Sequence, residues 1–231
     1  TARRPGRWTS DQRAGRGVSL VHYTYAHASA AYRTRIALNL KGLKPEERFI
    51  HLLKDGGQQH SAGYAALNPL ELVPTLVDGG ETFAQSLAII EYLDETYPEP
   101  PLLPATPAAR ARVRQIALSI ACDIHPVNNL RVRQYLTNVL HIDDAASKTW
   151  YRHWIDVGFK AVETMLDADG PFACGGAPTL ADVVLVPQVA NARRFEIALD
   201  AYPRIVRADA AARALPEFAA AAPDKQPDFG G

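Results

Sequence analysis

Residues 73–98 read VPTLVDGGETFAQSLAIIEYLDETYP, and this stretch decides the fold. Its first half predicts a β-hairpin, because two short runs of strand-forming residues, TLVD and ETFA, flank a Gly-Gly turn. Its second half predicts a helix, because Ile89, Leu93 and Tyr97 recur at a spacing of four residues and Pro98 ends the pattern. The stretch therefore supplies a β-β-α unit.

A β-α-β unit is predicted on the N-terminal side of this stretch. Residues 19–25, SLVHYTY, are rich in β-formers, and residues 48–53, RFIHLL, form a second candidate strand. Between them, residues 29–42 show a helical apolar spacing that ends at Gly42, a residue typical of helix C-termini. Two strands joined through a helix favour a parallel pair with a right-handed crossover. Residues 18–103 are therefore predicted to form one compact α/β domain.

The chain changes character at a proline-rich segment. Residues 97–107, YPEPPLLPATP, hold five prolines in eleven residues, which predicts a linker between domains. Beyond it every periodic stretch is helical. The predicted helices cover residues 108–122, 129–141 and 145–167, one that begins at Thr179, and about 205–220. The second domain, residues 108–231, is therefore predicted to be all-α, with TLAD (179–182) as a helix-initiating capping box that has Asp in place of Glu.

Composition is that of a globular protein and argues against several functions. The 231 residues are 47% hydrophobic and 22% charged, and the formal net charge of zero argues against a nucleic-acid-binding surface. Apolar runs such as VVLV (183–186) fall far below the roughly 18 residues of a membrane span. Cys122 and Cys174 form no CxxC pair and no metal-ligand cluster. We therefore predict no metal site and expect a reduced, cytoplasmic location.

Residues 1–17, TARRPGRWTSDQRAGRG, differ from the rest of the chain. They carry five arginines against one acidic residue, are rich in glycine and show no apolar period. We interpret them as a disordered basic extension outside both domains, with a transit peptide as the alternative.

Five motifs in order along the chain resemble one known family. They are YTYAHASAAYRTRIALNLKG, ALNPLELVPTL, QSLAIIEYLDETYP, CDIHPVNNLRVRQYL and PTLADVVLVPQVANARRF, and the resemblance as a whole runs from about residue 19 to residue 228. They resemble the zeta class of glutathione transferases, and more narrowly the maleylacetoacetate and maleylpyruvate isomerases. The resemblance implies a thioredoxin-like α/β domain followed by an all-α domain, a homodimer, and glutathione as cofactor.

The resemblance also implies which residues bind glutathione. Pro74 is expected to follow a cis peptide bond, so that the Val73 backbone faces outward and pairs with the cysteinyl backbone of glutathione. Gln85 and Ser86 are expected to hold its γ-glutamyl end, since the hydroxyl group and free N–H groups at a helix start suit a carboxylate. His51 is a weaker candidate for the glycyl end.

The reaction of the family sets two chemical demands. Glutathione thiolate adds to a cis double bond of a maleyl β-diketo acid, the bond rotates as a single bond, and the thiolate leaves the trans product. A thiol needs hydrogen-bond donors or a helix N-terminus to lower its pKa, and residues 28–31 meet this demand in part. The carboxylate and enolate charges of the substrate call for arginine or histidine, and the candidates are Arg194, His125 and Asn129.

The chain departs from the family at the expected thiolate site. These isomerases carry Arg-Ser-Ser where this chain has His27, Ala28 and Ser29, and the serine credited with holding the thiolate is Ala28 here. Ser29 is then the remaining hydroxyl, and His27 is a candidate replacement cation. Loss of one charge-assisted hydrogen bond costs about 1.5–3 kcal/mol, so we expect glutathione binding to persist and activity to be weakened or redirected.

Three functions remain open at this point. The first is a glutathione-dependent isomerase. The second is a glutathione transferase that conjugates or dehalogenates small α-halo acids. The third is a non-catalytic glutathione-binding dimer, which the substitution at Ala28 would favour.

Overall fold

The computed structural model describes residues 20–230, and both predicted α/β units are present in it. Their elements are β1 (Val21–Thr24), α1 (Ser29–Leu40), β2 (Glu46–Phe49), α2 (Ala62–Leu67), β3 (Thr75–Asp78), β4 (Glu81–Ala84) and α3 (Ser86–Thr96). The basic extension predicted for residues 1–17 lies outside the described residues.

The four strands form one mixed sheet in the order β2-β1-β3-β4. β1 and β2 are parallel, as the β-α-β prediction requires, and Val21 pairs with Glu46. β3 runs antiparallel to both β1 and β4. Gly79 and Gly80 have φ values of 63° and 92° at the hairpin turn, a backbone geometry that glycine adopts at little cost. The predicted hairpin is confirmed residue for residue.

The predicted bounds of the second strand are wrong. The prediction was residues 48–53, whereas β2 covers Glu46–Phe49. β2 is an edge strand whose side chains are mostly exposed, so charged residues are tolerated in it. Ile50 and Leu52 leave the strand and pack against a small apolar cluster formed by Tyr25, Ala31, Tyr64 and Val73. Their apolar character therefore reflects packing outside the sheet.

Helices make up the rest of the described chain, as predicted. They are α4 (Pro107–Leu118), α5 (Leu130–Asn138), α6 (Asp144–Met165), α7 (Leu180–Arg194), α8 (Pro203–Arg213) and α9 (Pro216–Ala220). The helix predicted over 108–122 gives way to a π-helical turn at Ser119–Ile124. The helix predicted over about 205–220 is two helices, because Pro216 cannot continue a helix and starts a new one.

The central helix α7 joins the sheet unit to the helical part. Its residues from Leu180 to Val189 are buried, and it packs against α1, α4 and α8. One apolar core therefore runs from Ile36 of α1 and Leu93 of α3 through Val184 of α7. The domain division at residues 103 and 108 stays a prediction.

Residues 20–230 contain neither a membrane-spanning helix nor a cluster of metal-ligating side chains. Within that range no helix is both long enough and apolar enough to span a lipid bilayer. The same residues bring together no group of three or more His, Cys, Asp or Glu side chains that could hold a metal ion.

The predicted capping box at the start of α7 is confirmed. The Thr179 hydroxyl accepts a hydrogen bond from the Ala181 N–H at 3.3 Å. The buried Asp182 carboxylate accepts from the Thr179 N–H at 2.8 Å and from the Ala173 N–H at 2.7 Å. Asp182 thus fixes both the helix start and the preceding loop.

We expect Asp182→Ala to lower the free energy of unfolding by about 2–4 kcal/mol, because it leaves two buried N–H donors without partners. Chemical denaturation would measure the loss. Asp143→Ala is the matched control, since Asp143 caps α6 in an exposed position and accepts only from the Ala146 N–H. Its expected cost is about 1 kcal/mol, and equal losses for the two variants would contradict the role given to Asp182.

Candidate active site

Three adjoining cavities lie between the sheet unit and the helices. The outer cavity, about 510 Å³, is bounded by the loop at residues 26–29, by α7 and by residues 222–229. The central chamber, about 120 Å³, lies between Ser29, His125 and α7. The side groove, about 160 Å³, is lined by Val73, Ser86 and neighbouring residues. Ser29 borders the first two cavities and His125 the last two, so the three cavities adjoin one another.

The N-terminus of α1 opens onto the central chamber. Ala28 is the N-cap residue and has no side chain that could cap the helix, so the first N–H groups of α1 carry no side-chain cap. Ser29 is the first helical residue and is 8% exposed. Its Oγ accepts a hydrogen bond from Asn191 Nδ2 at 2.5 Å. This contact leaves the hydroxyl hydrogen of Ser29 available for donation to an anion.

Arg35 holds the backbone in front of this helix. Its buried guanidinium donates to Thr24 Oγ1 at 3.0 Å, to the Tyr25 carbonyl oxygen at 3.1 Å and to the Ala26 carbonyl oxygen at 3.1 Å. It also donates to the carbonyl oxygen of Ala221 at 3.0 Å. Burial lowers the pKa of Arg35 to about 10, so the group stays cationic at neutral pH.

The N-terminus of α3 opens onto the side groove in the same way. Gln85 precedes the helix with φ 71° and provides no side-chain cap, and Ser86 is the first helical residue. Arg33 lies beneath it at 2% exposure, and its Nη1 donates to Ser86 Oγ at 3.4 Å. Its Nε and Nη2 atoms have no hydrogen-bond partner among residues 20–230. A buried cation with unpaired donors next to a helix N-terminus suits an anionic ligand.

The loop before β3 lines the same groove. The Val73–Pro74 peptide bond is cis, as the resemblance implied. Tyr64 Oη and Asn68 Nδ2 both donate to the Leu72 carbonyl oxygen at 2.7 Å, which fixes the backbone next to Val73. Val73, Pro74, Gln85 and Ser86 are thereby brought together, as predicted, although their contacts with a ligand stay a prediction.

His125 and Asn129 lie where the central chamber meets the side groove. The ring Nε2 of His125 is 3.5 Å from Asn129 Nδ2. Burial, with the positive charges of Arg33 and Arg131 nearby, lowers the pKa of His125 to about 3. His125 is therefore neutral at physiological pH, and the substrate contact predicted for His125 and Asn129 stays a prediction.

The two neighbouring arginines of α7 have different surroundings. Arg193 forms an ion pair with the buried Asp209 at 2.6 Å. Both arginines line the outer cavity and Arg194 also lines the central chamber, while the substrate contact predicted for Arg194 stays a prediction. Arg133 also lines the central chamber, with its guanidinium carbon 4.7 Å from the ring centre of Phe195. No sequence signal pointed to Arg133.

His27 is held by the C-terminal segment. Its Nε2 lies 3.0 Å from the Phe229 carbonyl oxygen, and the two rings are 4.8 Å apart. Beside it, the Ala26 N–H donates to Asp228 Oδ2 at 2.9 Å. Phe229 therefore lines the outer cavity, and Asp228 ties this segment to the loop at Ala26, which sequence reasoning missed. The compensating charge suggested for His27 stays a prediction.

The ring of His51 is held by backbone N–H groups of the loop that follows β2. Its Nδ1 accepts from the Leu53 N–H at 3.1 Å and from the Lys54 N–H at 2.9 Å. Its Nε2 is 3.4 Å from the hydroxyl of Tyr25, which lines the central chamber. His51 thus shapes the loop after β2, and its predicted contact with the glycyl end of glutathione stays a prediction.

Comparison with known proteins agrees with this geometry. Residues 23–101 match the model of the glutathione S-transferase N-terminal domain. The chain is 53% identical over 212 residues to a probable maleylacetoacetate isomerase of Vibrio cholerae, which covers 91% of this chain and 99% of that protein. The chain therefore belongs to the zeta-class glutathione S-transferases, in the group of maleylacetoacetate and maleylpyruvate isomerases.

Two solved structures are similar over nearly their full length. A holo maleylpyruvate isomerase described as a bacterial zeta-class glutathione S-transferase is 45% identical, with a TM-score of 0.87 and coverage of 90% of this chain and 99% of that one. A maleylacetoacetate isomerase of Methylobacterium extorquens AM1 with bound malonate and glutathione is 40% identical, with a TM-score of 0.86 and coverage of 90% and 98%.

We expect the stability of the protein to fall as the pH drops below about 6.5, because the unfolded chain then binds a proton at His125 that the folded chain resists until about pH 3. The stabilising effect of neutral His125 is present above its unfolded pKa and is lost as the pH falls. His125→Gln should flatten this slope in urea denaturation between about pH 7 and pH 4. The exposed His153 gives the control His153→Gln, and equal flattening in both variants would refute the assignment.

Proposed function

We propose that this protein is a glutathione-dependent cis–trans isomerase of a maleyl β-diketo acid. One observation carries the proposal. The uncapped N-terminus of α1, with Ser29, opens onto a chamber that joins the side groove on one side and an arginine-bearing cavity on the other. An activated thiolate, its cofactor and an anionic substrate need this arrangement of neighbouring sites.

The side groove fits the γ-glutamyl end of glutathione. Ser86 and the free N–H groups of α3 would bind its carboxylate, and the buried Arg33 would supply the opposing charge. The Val73 backbone beside cis Pro74 would pair with the cysteinyl unit, with Gln85 next to it. The Methylobacterium relative, which holds malonate and glutathione together, supports the presence of both a cofactor site and a dicarboxylate site.

Bound glutathione supplies the thiolate that adds to the cis double bond and leaves after the bond has rotated. Ser29 would donate its hydroxyl hydrogen to the sulfur, because Asn191 already occupies its oxygen. The N–H groups of α1 would lower the thiol pKa further. His125 and Asn129 would bind at the junction through neutral hydrogen bonds, and Arg194 would bind a substrate carboxylate.

The test is isomerisation of maleylacetone with and without glutathione. We expect a glutathione-dependent rate with no net consumption of glutathione. Ala28→Ser should raise kcat by about 10- to 150-fold, the equivalent of one restored charge-assisted hydrogen bond, and should increase the thiolate absorbance of bound glutathione. Ala210→Ser on the exposed face of α8 should change neither.

The other outcomes of this assay separate the remaining functions. Consumption of glutathione with an α-halo acid, without isomerisation of maleylacetone, would favour the transferase. Glutathione binding by calorimetry without turnover of either substrate would favour the non-catalytic dimer.

The two adjacent arginines give a matched pair of variants. We expect Arg194→Ala to raise the KM for maleylacetone by about 10- to 100-fold, because one ionic hydrogen bond to a carboxylate is lost, with the melting temperature unchanged. Arg193→Ala should raise KM less, because Asp209 already engages this guanidinium although it lines the same cavity, and should lower the free energy of unfolding by about 2 kcal/mol, since Asp209 loses its nearest partner. Steady-state kinetics would measure KM, and thermal unfolding would measure stability. A larger rise in KM for Arg193→Ala than for Arg194→Ala would contradict the roles given to the two residues.

We further propose a homodimer in the cytoplasm. The supporting feature for the dimer is a shallow cavity between α3 and α4, beside Leu118, which is 44% exposed. Light scattering should give twice the mass of one chain, and the mass of a single chain would overturn the proposal.

The two cysteines are free thiols, which suits a reducing compartment, and cell fractionation would test the location.

A further inference from the structure

A buried amide faces the central chamber beside Ser29. Gln188 lies on α7, is 0% exposed and lines the chamber. Neither its Nε2 nor its Oε1 has a hydrogen-bond partner among residues 20–230. Folded proteins pair nearly all of their buried polar groups, and an unpaired one costs about 1–3 kcal/mol. An amide retained in this position at such a cost suits contact with a ligand.

The neighbours of Gln188 place it next to the reacting groups. Gln188 and Asn191 are three residues apart on α7 and therefore lie on the same face. Asn191 Nδ2 donates at 2.5 Å to the Oγ of Ser29, the residue proposed to donate a hydrogen bond to the thiolate. Asn128 borders the same chamber, and its Nδ2 donates to the Tyr151 carbonyl oxygen at 3.3 Å. Gln188 thus lines the chamber within one helical turn of the residue that orients Ser29.

We propose that Gln188 is a further catalytic residue, whose amide N–H donates to the substrate carbonyl oxygen that becomes negative during isomerisation. The assignment rests on the proposed function. As the sulfur–carbon bond forms, the electron pair of the double bond moves through the conjugated carbon to that oxygen. When the pair returns, the double bond re-forms in the trans geometry and the sulfur–carbon bond breaks. No proton and no electron is gained or lost.

A neutral donor suits this reaction better than an acid. Protonation of the carbon next to the charged oxygen would trap the thioether adduct and consume glutathione. An amide stabilises the oxygen and has no proton to give at physiological pH. His125, which borders the same chamber, is likewise neutral there. The chamber therefore favours release of the thiolate over conjugation.

The test compares Gln188→Met with the unaltered protein. For maleylacetone we expect kcat to fall by about 10²- to 10³-fold, the effect of removing one donor to a developing oxyanion. The KM, the Kd of glutathione and its bound thiolate absorbance should stay unchanged. The melting temperature should stay equal or rise, since the variant removes a buried amide without partners.

Two more variants distinguish the loss of a hydrogen-bond donor from a general loss of stability. Val189→Ala truncates the next, fully buried residue of α7 and should lower the melting temperature while kcat is retained. Gln188→Glu keeps the shape of the side chain and loses the N–H. Its ratio of glutathione consumed to maleylacetone isomerised should exceed that of the unaltered protein and should rise as the pH falls, because a protonated carboxyl group can transfer a proton to the adduct and trap it.

The outcomes separate the two proposals. If the unaltered protein does not isomerise maleylacetone, the proposed function fails and the assignment of Gln188 fails with it. If the unaltered protein is active and Gln188→Met keeps its kcat within about threefold, only the assignment fails. A loss of kcat that comes with equal losses in glutathione affinity and melting temperature would show a structural role and would also overturn it.

Discussion

The site depends on one buried guanidinium. Arg35 donates hydrogen bonds to the end of β1, to the two carbonyl groups that follow it, and to the carbonyl of Ala221 near the other end of the described chain. These contacts fix where the chain leaves the sheet and where α1 begins. That constraint determines the positions of the N-terminus of α1, of Ser29 and of His27. A lysine could not replace this planar group, because its single ammonium lacks the fixed fork of donors.

Two buried arginines of α1 differ in how many of their donors have protein partners. Arg35 and Arg33 are equally hidden, and burial lowers the pKa of each to about 10, so both remain charged. Arg35 is fully engaged with protein oxygens, whereas Arg33 has two nitrogen atoms without partners in residues 20–230. Removing a charge from water is costly unless it is compensated. Arg33 therefore suits a ligand anion, and the same reasoning applies to the neutral amide of Gln188.

Local sequence signals predicted most of the fold. The Gly-Gly hairpin, the capping box at Thr179 and the helix spacings act within a few residues of each other, and all appear in the structure. The bounds of β2 failed because Ile50 and Leu52 are apolar for packing outside the sheet. Of the candidate site, the motifs led to the residues at the two helix N-termini. Asn191 and Asp228 were missed, because their partners lie far away in the chain. Gln188 and Arg133 were missed, because only the folded chain brings them to the central chamber.

The Ala26–Asp228 hydrogen bond spans 202 residues. During synthesis the sheet unit leaves the ribosome long before its last contacts exist, and domains commonly begin to fold as they emerge. In a nascent chain the strands, the hairpin and α1 can thus form before the C-terminal residues that line the outer cavity have been synthesised. Contacts of such high sequence separation form late, since the long loop must close first. We therefore expect a ribosome-bound chain that lacks its last residues to be unable to bind ligand, whatever part of the sheet unit has already formed.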